Sequence, residues 1–390
     1  MPERTAVVVG GGIGGLAAAI GLGRAGWDVR ILERSPALRE LGAGWSQAPN
    51  AMRAFDTLGV GEQVRTCSVP SQAGGNLRTP SGRYLLRFEP GRDTPLWANH
   101  RAELQQVLVH NLPESCLQLG AEVVDVGEGD NNVVISYKTS SGTMRETADL
   151  VVGADGIHST IRRLLWPASE PVFQQVVCWR GVTTAGAAPT VAGFQTWGRG
   201  ERFGAHPLPG NRVFWFHTSR EHRPGRRYDA DLAEVRRRVR DWHDPIPALL
   251  DATPPGKVLR HEIFDLDPLP TYVHRRVALL GDAAHAMTPF LAQGACQAVE
   301  DAVVLAAELG SDAEVPQGLI RYDAARRPRS QKIAHMARTD PKVSLAASRV
   351  VYGLSTAVTS LASSALLQRK AARLWAWTPP PLPGYGRSRT

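Results

Sequence analysis

Apolar positions in the first forty residues fall into segments of two different periods. A short β-branched run at Ala6–Val9 predicts a strand, and the Ala- and Leu-rich stretch Ile13–Ala25 predicts a helix. A second strand is predicted at Val29–Leu32. A strand, a helix and a strand in this order form a βαβ unit with parallel strands. The chain is therefore expected to begin with part of a parallel-sheet α/β domain.

The pattern changes in the middle of the chain. From about residue 166 to 265, short β-rich pieces alternate with turn residues such as Pro209-Gly210-Asn211, and one helix is predicted at Leu232–Trp242. This texture predicts an antiparallel sheet, after which an apolar strand returns at Val277–Leu280 and a long helix at Cys296–Leu309. The middle segment is thus expected to be an insertion. Other predicted elements are helices at 51–67 and 101–112 and strands at Val123–Val124, Val133–Ser136 and Leu150–Val152.

Composition fits a globular protein of about two domains, with 390 residues, 43% of them hydrophobic and 21% charged. The formal net charge is +8, but the basic residues look scattered. The runs Arg236–Arg240 and Arg326–Arg329 are expected to be solvated helix faces, so a nucleic-acid partner is not indicated. None of the four cysteines forms a CxxC pair, and no metal site is expected.

Two observations concern location. No charged-then-apolar leader precedes the first strand, which predicts a cytoplasmic protein with free thiols. The apolar stretch Val350–Leu367 is diluted by hydroxyl side chains, so a packed helix is expected there and no stable membrane insertion.

A glycine-rich motif joins the first strand to the first helix. The sequence GGGIGG at Gly10–Gly15 matches G-x-G-x-x-G. Gly10 permits the tight turn, Gly12 lets a pyrophosphate approach the backbone, and Gly15 lets the helix lie close to the strand. Glu33 ends the second strand, where a carboxylate can accept hydrogen bonds from a ribose. These features predict a dinucleotide site without separating FAD from NAD.

Two further motifs make that distinction. The segment Val152–Arg162 (VGADGIHSTIR) matches D-G-x-x-S-x-x-R, and Leu280–Pro289 (LGDAAHAMTP) matches G-D-A-A-H-x-x-x-P. With the glycine motif, and in this order, the chain resembles the group A flavoprotein monooxygenases, relatives of para-hydroxybenzoate, salicylate and urate hydroxylases, from about residue 5 to 330. The resemblance implies an α/β fold: a Rossmann-like FAD-binding domain with a parallel sheet, an inserted antiparallel β-sheet substrate domain and C-terminal helices.

The expected domain boundaries follow from these patterns together. The FAD-binding domain is predicted in three parts and the substrate domain in two, followed by a helix and a flexible tail. In chain order these are 1–75, 99–165 and 269–345 for FAD binding, 76–98 and 166–268 for the substrate, 346–378 for the C-terminal helix, and 379–390 for the tail.

The resemblance also implies a reaction. NADH or NADPH would reduce FAD during a transient visit, because the chain has one dinucleotide motif only. The reduced flavin would add O2 to give a C4a-hydroperoxide that hydroxylates a small aromatic or phenolic substrate. The alternatives are an epoxidase, a Baeyer–Villiger-type oxygenase, or a non-redox protein that keeps FAD as a structural ligand. A monomer or a homodimer is expected.

Particular residues match family positions. By resemblance, Arg101 reaches the FAD, the backbone of Val123 meets the adenine, and Asp155 supports both flavin and nicotinamide. Asp282 would hold a ribityl hydroxyl, and Pro289 would lie near the flavin C4a. Amides at the start of the following helix can stabilise negative charge on the reduced flavin. The full set expected to bind the cofactor is Gly10, Gly12, Ile13, Gly14, Gly15, Glu33, Arg34, Gly44, Arg101, Val123, Asp155, Asp282, Pro289, Gly294 and Ala295.

Three positions within or shortly after the third motif are expected to be structural. Ala292 stands where many relatives have glycine, which could shift the flavin slightly. Cys296 is expected to be a small buried residue and not a reactive thiol. His285 is expected to be held beside Asp282 and not to act as a base.

Catalytic residues are predicted on one strand of the inserted sheet. The alternation of residues 202–206 places Arg202, Gly204 and His206 on one face, where Gly204 leaves room for a ligand. We hypothesise that Arg202 pairs with an anionic or phenolate oxygen of the substrate and that His206 helps to deprotonate it. The alternative is that both side chains face solvent.

The next strand supplies the aromatic part of this hypothesis. Phe214 and Phe216 share a face and would clamp the substrate ring. Arg180 is a second candidate contact for a substrate anion.

Overall fold

The structure is a computed structural model that describes residues 4–38, 44–71, 76–87, 96–129, 131–310, 314–362 and 364–382. The strands are β1 (Thr5–Val9), β2 (Asp28–Glu33), β3 (Gly44–Gln47), β4 (Val69–Ser71), β5 (Leu77–Arg78), β6 (Tyr84–Leu86), β7 (Leu96–His100), β8 (Leu117–Leu119), β9 (Glu122–Glu128), β10 (Val133–Thr139), β11 (Gly142–Ala148), β12 (Leu150–Gly153), β13 (Val172–Val182), β14 (Phe194–Gly198), β15 (Glu201–Leu208), β16 (Arg212–Arg220), β17 (Leu259–Asp265), β18 (Val273–His274) and β19 (Val277–Leu279). The helices are α1 (Ile13–Arg24), α2 (Pro49–Thr57), α3 (Gly61–Thr66), α4 (Arg101–Val109), α5 (Thr160–Leu165), α6 (Asp231–Val239), α7 (Ile246–Asp251), α8 (Asp282–His285), α9 (Gly294–Glu308), α10 (Val315–Thr339), α11 (Pro341–Ser344), α12 (Arg349–Leu361) and α13 (Ser364–Trp375).

A six-stranded sheet forms the base of the molecule, in the order β18-β19-β12-β1-β2-β8. All neighbours pair in parallel except β18, which is antiparallel to β19. The central strands are apolar and buried, and α1 packs between this sheet and α9. The predicted α/β fold, with its parallel sheet, is confirmed.

A seven-stranded sheet stands over it, in the order β17-β13-β16-β15-β14-β5-β6. All of its pairs are antiparallel except β14 with β5. One face packs against α6 and α7 through Trp179, Phe203 and Trp215. The opposite face carries the alternate residues of β15 and faces the cavity described below. Two smaller sheets, β3-β7-β4 and β11-β10-β9, complete the strands of the described residues.

The observed elements differ from the expected ones at three places. Residues 51–67 form two helices, because Gly59 has a φ of +65° that ends the first of them. The long helix α9 begins at Gly294, two residues earlier than expected. Strand β11 was missed because its side chains are mostly polar and exposed, so the sequence shows no apolar alternation.

The C-terminal region contradicts the expected single packed helix. Two helices, α12 and α13, follow α11, and most apolar side chains of α12 are exposed, from Val350 to Leu361. No helix within the described ranges is long and apolar enough to cross a membrane. Residues 383–390 of the expected tail lie outside the described residues. The domain boundaries themselves stay a prediction.

Candidate functional site

A cavity of about 980 Å³ lies between the two large sheets. It brings together most of the residues that the sequence singled out, from both sides of the molecule. Those that line it are Gly12, Ile13, Gly14, Gly44, Arg101, Arg180, Arg202, His206, Phe214, Phe216, Asp282, Pro289, Gly294 and Ala295. Expected site residues outside this lining are Gly10, Gly15, Glu33, Arg34, Val123 and Asp155.

The glycine turn has the shape that a dinucleotide needs. Gly10 has a φ of +110°, and a Cβ on Gly15 would lie 2.0 Å from the carbonyl oxygen of Gly10. A Cβ on Gly12 would meet no protein atom within 4 Å, so the start of α1 faces open cavity. Gly10 and Gly15 therefore shape the turn, and Gly12 leaves space for a phosphate beside the unpaired amides of the helix.

Glu33 is fixed at the end of β2. Its Oε2 accepts a hydrogen bond from the Gly11 amide at 2.7 Å, and its Oε1 accepts one from the Ser35 amide at 2.8 Å. Each oxygen keeps a second lone pair for a ribose hydroxyl. Arg34 beside it is exposed, and the side chain of Val123 is buried in the core.

The carboxylate of Asp155 bonds to the start of α5, and its expected support of flavin and nicotinamide stays a prediction. Its carboxylate accepts hydrogen bonds from the Ser159 hydroxyl and from the Thr160 amide at 2.7 Å, which caps the start of α5. Burial raises the pKa of Asp155, and these hydrogen bonds oppose that rise. The side chain is thus used within the protein and supports the second motif without lining the cavity.

The third motif presents helix amides to the cavity. Gly281 has a φ of +58°, and the next residue, Asp282, begins α8 on the cavity wall. In α9 the first amide bonded within the helix is that of Gln297, to the carbonyl of Gln293 at 2.8 Å. The amides of Gly294 and Ala295 precede it, so they can donate to a negatively charged ring edge.

Ala292 adopts the left-handed conformation, with φ of 52° and ψ of 32°. A side chain with a Cβ is strained by about 1–2 kcal/mol in this region, which explains why a glycine suits the position. Cys296, four residues on, is fully buried, and burial raises the pKa of its thiol to about 12. The thiol is therefore unreactive at neutral pH, as its structural assignment requires.

Replacing Ala292 by glycine should raise the free energy of unfolding by up to about 1 kcal/mol, because relief of strain exceeds the added entropy of the unfolded chain. Ala233→Gly is the matched control, since Ala233 is exposed within α6 and glycine there should cost about 1 kcal/mol. Urea denaturation of both variants measures the difference. A loss of stability in Ala292→Gly would contradict the assigned strain.

The basic run in α10 is not a solvated helix face, as the sequence suggested. Arg326 is buried and donates to Glu300 at 2.6 Å and to Asp301 at 2.7 Å. Arg329 also donates to Glu300, at 2.7 Å. The prediction was wrong because the two carboxylates lie on α9, more than twenty residues away in sequence. The other run does fit the expectation in part, since Arg237 and Arg240 are exposed.

His285 belongs to the same cluster. Its Nε2 lies 2.6 Å from Asp301, and Asp301 also accepts from the Gly281 amide at 2.9 Å. Burial alone would raise the pKa of Asp301, but the charges of His285 and Arg326 outweigh it and lower the pKa to about 2. This buried cluster fixes the loop that carries the third motif.

Arg202 and His206 do not face solvent: both are buried on the cavity side of β15. Arg202 donates to Gln195 on β14 and lies 3.5 Å from Asp340, which follows α10. Burial lowers the pKa of the Arg202 guanidinium, and the charge of Asp340 opposes that effect. Its charge is thus already matched by a carboxylate of the protein, which argues against its expected pairing with a substrate anion.

The surroundings of His206 argue against a role as general base. Its Nδ1 lies 2.8 Å from the Ser46 hydroxyl and 3.1 Å from that of Ser71. Burial, and secondarily the charge of Arg202, lower the pKa of His206 to about 4. An efficient base has a pKa near the working pH, so a neutral hydrogen-bonding role suits this imidazole better.

The aromatic residues form one wall and not a clamp. Phe214 and Phe216 lie on the same face of β16, with ring centroids 6.2 Å apart, and both pack beside His206. The space over Gly204 is filled by the Phe216 ring, because a Cβ on Gly204 would lie 2.3 Å from that ring. The prediction that Gly204 makes room for a ligand was therefore wrong.

Arginines form a positively charged part of the cavity wall. Arg180 lies 3.3 Å from Nδ1 of His261 and lines the cavity together with Arg101. Burial, and secondarily the charges of Arg180 and Arg101, lower the pKa of His261 to about 4. This edge suits an anionic group of a bound nucleotide.

Sequence reasoning missed four polar residues of the substrate side: Ser46, Ser71, Gln195 and Asp340. Gln195 could have been found, since the alternation Phe194-Gln195-Thr196-Trp197 continues the pattern of the sheet. The others have no local signal, because they reach the site from distant segments.

Comparison with known proteins gives the family. The family described as FAD binding domain matches residues 3–337. The chain belongs to the FAD-binding monooxygenases. It is 38% identical over 333 residues to an aurachin C monooxygenase/isomerase of Stigmatella aurantiaca, covering 84% of this chain and 86% of that protein. It is 31% identical over 348 residues to an FAD-dependent urate hydroxylase of Klebsiella pneumoniae, covering 85% of this chain and 88% of that protein.

A solved structure supports the same family. Klebsiella pneumoniae HpxO in complex with FAD and uric acid matches with a TM-score of 0.86 and 26% identity, over 95% of this chain and 96% of that one. The chain is thus an FAD-dependent monooxygenase of the group A type, with NAD(P)H as co-substrate. The open start of α1 and the free amides of α9 fit such a cofactor.

Proposed function

We propose that this monooxygenase hydroxylates an uncharged aromatic substrate held against the Phe214–Phe216 wall. The observation that carries the proposal is the ion pair of Arg202 with Asp340 at 3.5 Å, because a carboxylate of the protein already matches the charge of this arginine. Relatives named for aurachin C, for urate and for 3-hydroxybenzoate support an aromatic ring as the oxygen acceptor.

The residues of the wall have distinct tasks. Phe214 and Phe216 offer apolar area to a ring, and Phe290 lies under the Arg202 guanidinium at 5.7 Å. Serine hydroxyls can donate to Nδ1 of neutral His206, which leaves its Nε2–H as a donor for a substrate hydroxyl or carbonyl. These contacts orient the ring and exclude water from it.

Several of the expected cofactor contacts remain proposals at the level of residues. We assign the pyrophosphate to Gly12, Ile13 and Gly14, and the flavin ring to Pro289, Gly294 and Ala295. FAD bound there supplies hydride acceptance and O2 activation. Asp282 would accept a hydrogen bond from the ribityl chain, and Arg101 and Gly44 would contact the cofactor from the opposite wall.

The proposal is tested by pairs of substrates that differ in one carboxylate, such as a hydroxyquinoline and its carboxylic acid. Stimulated NAD(P)H oxidation and product formation are measured for each member. The uncharged members should be the better substrates. A consistent preference for the carboxylates would contradict the assigned wall, and the absence of any stimulated turnover would contradict hydroxylation of this class.

Replacing Asp340 by alanine should shift this preference. It leaves the Arg202 charge unmatched, so kcat/KM for the carboxylate relative to its uncharged partner should rise about tenfold. Ser344→Ala is the control, because the Ser344 hydroxyl donates to Asp340 at 2.6 Å without touching Arg202. An unchanged ratio in Asp340→Ala would place the substrate away from Arg202.

A cytoplasmic location and a monomeric or homodimeric state are also proposed. Fractionation and sedimentation velocity measure them directly.

A further inference from the structure

The C-terminal fifty residues hold nearly all of the net charge of the chain. Residues 341–390 contain no Asp or Glu and seven of the charges that make up the formal total of +8. The preceding part is therefore almost balanced, an asymmetry that the scattered appearance of the basic residues conceals. These residues are Lys342, Arg349, Arg369, Lys370, Arg373, Arg387 and Arg389.

The same region exposes an apolar stripe. Four apolar side chains of α12, spaced by four, four and three residues, lie on one face of the helix and are 62–86% exposed. Contiguous apolar area of this kind marks an interaction surface. The stripe consists of Val350, Leu354, Val358 and Leu361, with Val351 beside it.

The helix is attached so that the stripe points outward. The Tyr352 hydroxyl donates to the Trp197 carbonyl at 2.9 Å, and Thr356 is buried on the same side. Arg349 on α12 and Arg369 and Arg373 on α13 are exposed, and no ion pair neutralises them among the described residues. The antiparallel sheet thus carries α12 with its apolar face exposed, and the same C-terminal region carries cations without ion-pair partners.

We propose that α12 and α13 dock on the surface of an anionic lipid membrane. The stripe enters the boundary between headgroups and acyl chains, and the basic residues contact lipid phosphates. At 13 residues α12 is about 20 Å long, shorter than the roughly 30 Å of a bilayer core, so it lies along the surface.

Charge favours an anionic membrane over a second copy of the chain as the partner of this surface. A symmetric contact through the stripe would bring together two copies of a segment that has seven basic and no acidic residues, and like charges at an interface cost binding energy. The stripe is also continuous with the cavity, because Val358, Thr359 and Ala362 line it. Docking therefore places this part of the cavity wall at the lipid.

The test is co-sedimentation of the full-length, FAD-loaded protein with vesicles of phosphatidylcholine alone or with added phosphatidylglycerol. The protein should bind the anionic vesicles, and high salt should release it. The double variant Leu354→Asp/Leu361→Asp should bind about tenfold more weakly or worse. Arg349→Gln and Arg373→Gln should each weaken binding about fivefold.

Ile320→Asp is the matched control, since Ile320 is 55% exposed on α10, away from the stripe, and this variant should bind as the parent does. FAD content and melting temperature show that each variant is folded. Equal binding by the double variant, or no binding of the parent to anionic vesicles, overturns the proposal. A parent dimer that the double variant dissociates, without vesicle binding, would assign the stripe to a contact between copies. No substrate is used, so the result is independent of the proposed function.

Discussion

Replacing Arg326 by methionine should lower the free energy of unfolding by about 3–5 kcal/mol, because it leaves buried carboxylates without their main counter-charge. Arg326 reaches Glu300 and Asp301, both of which have fully buried side chains. His285 and Arg329 remain as partners, but neither replaces the three donors of the guanidinium. Methionine fills similar space and isolates the loss of charge.

The control for this variant lies on the same helix. Arg321 pairs with Glu308 at 2.6 Å, but its side chain is 51% exposed, so Arg321→Met should cost less than about 1 kcal/mol. Urea denaturation of both variants gives the comparison. Equal losses would mean that the cluster contributes no more than a surface ion pair.

The loss of unfolding free energy in Arg326→Met should depend on pH in one direction. In the parent, the pKa of Asp301 is lowered from 3.8 to about 2, so its contribution to stability is present above about pH 4. That contribution is lost as the pH falls towards 2. The stability difference between parent and variant should therefore narrow over this interval.

Replacing Gly12 by valine should weaken FAD binding about 10- to 100-fold while the fold survives. A Cβ at Gly12 would meet no protein atom within 4 Å, so the added side chain extends into the cavity at the start of α1. The φ of −76° and ψ of 176° at this residue are allowed for valine. Fluorescence titration of the apoprotein with FAD measures the change.

Gly23→Val is the control in the same helix. Its Cβ would also meet nothing within 4 Å, but Gly23 does not line the cavity. This variant should bind FAD as the parent does. If Gly12→Val bound FAD with the parent's affinity, the pyrophosphate would have to lie elsewhere.

The sequence was informative wherever a function depends on local backbone geometry. The turn at Gly10, the open position at Gly12 and the close packing at Gly15 follow from three glycines within six residues. The period of the apolar positions likewise indicated β1, α1, β2 and the alternation of β15, because burial of a strand or helix face imposes it. Three ordered motifs then identified the family without any contact information.

Partners distant in sequence left no such signal. Arg326 appears in the sequence within a basic run, and only the approach of α9 shows it to be buried against Glu300 and Asp301. Arg202 looked available for an anion until Asp340, 138 residues away, was found beside it. Gly204 looked open until the cross-strand Phe216 covered it.

By itself, then, the sequence determined the α/β fold, the dinucleotide turn and the family, because these depend on residue types at fixed short spacings. Only the tertiary structure decided which charges are matched and which surfaces stay open. The protonation of His206, the pairing of Arg202 and the exposed stripe of α12 depend on burial and on neighbours from other elements. Electrostatic energy varies with distance and solvent access, and neither quantity is fixed by the order of residues along the chain.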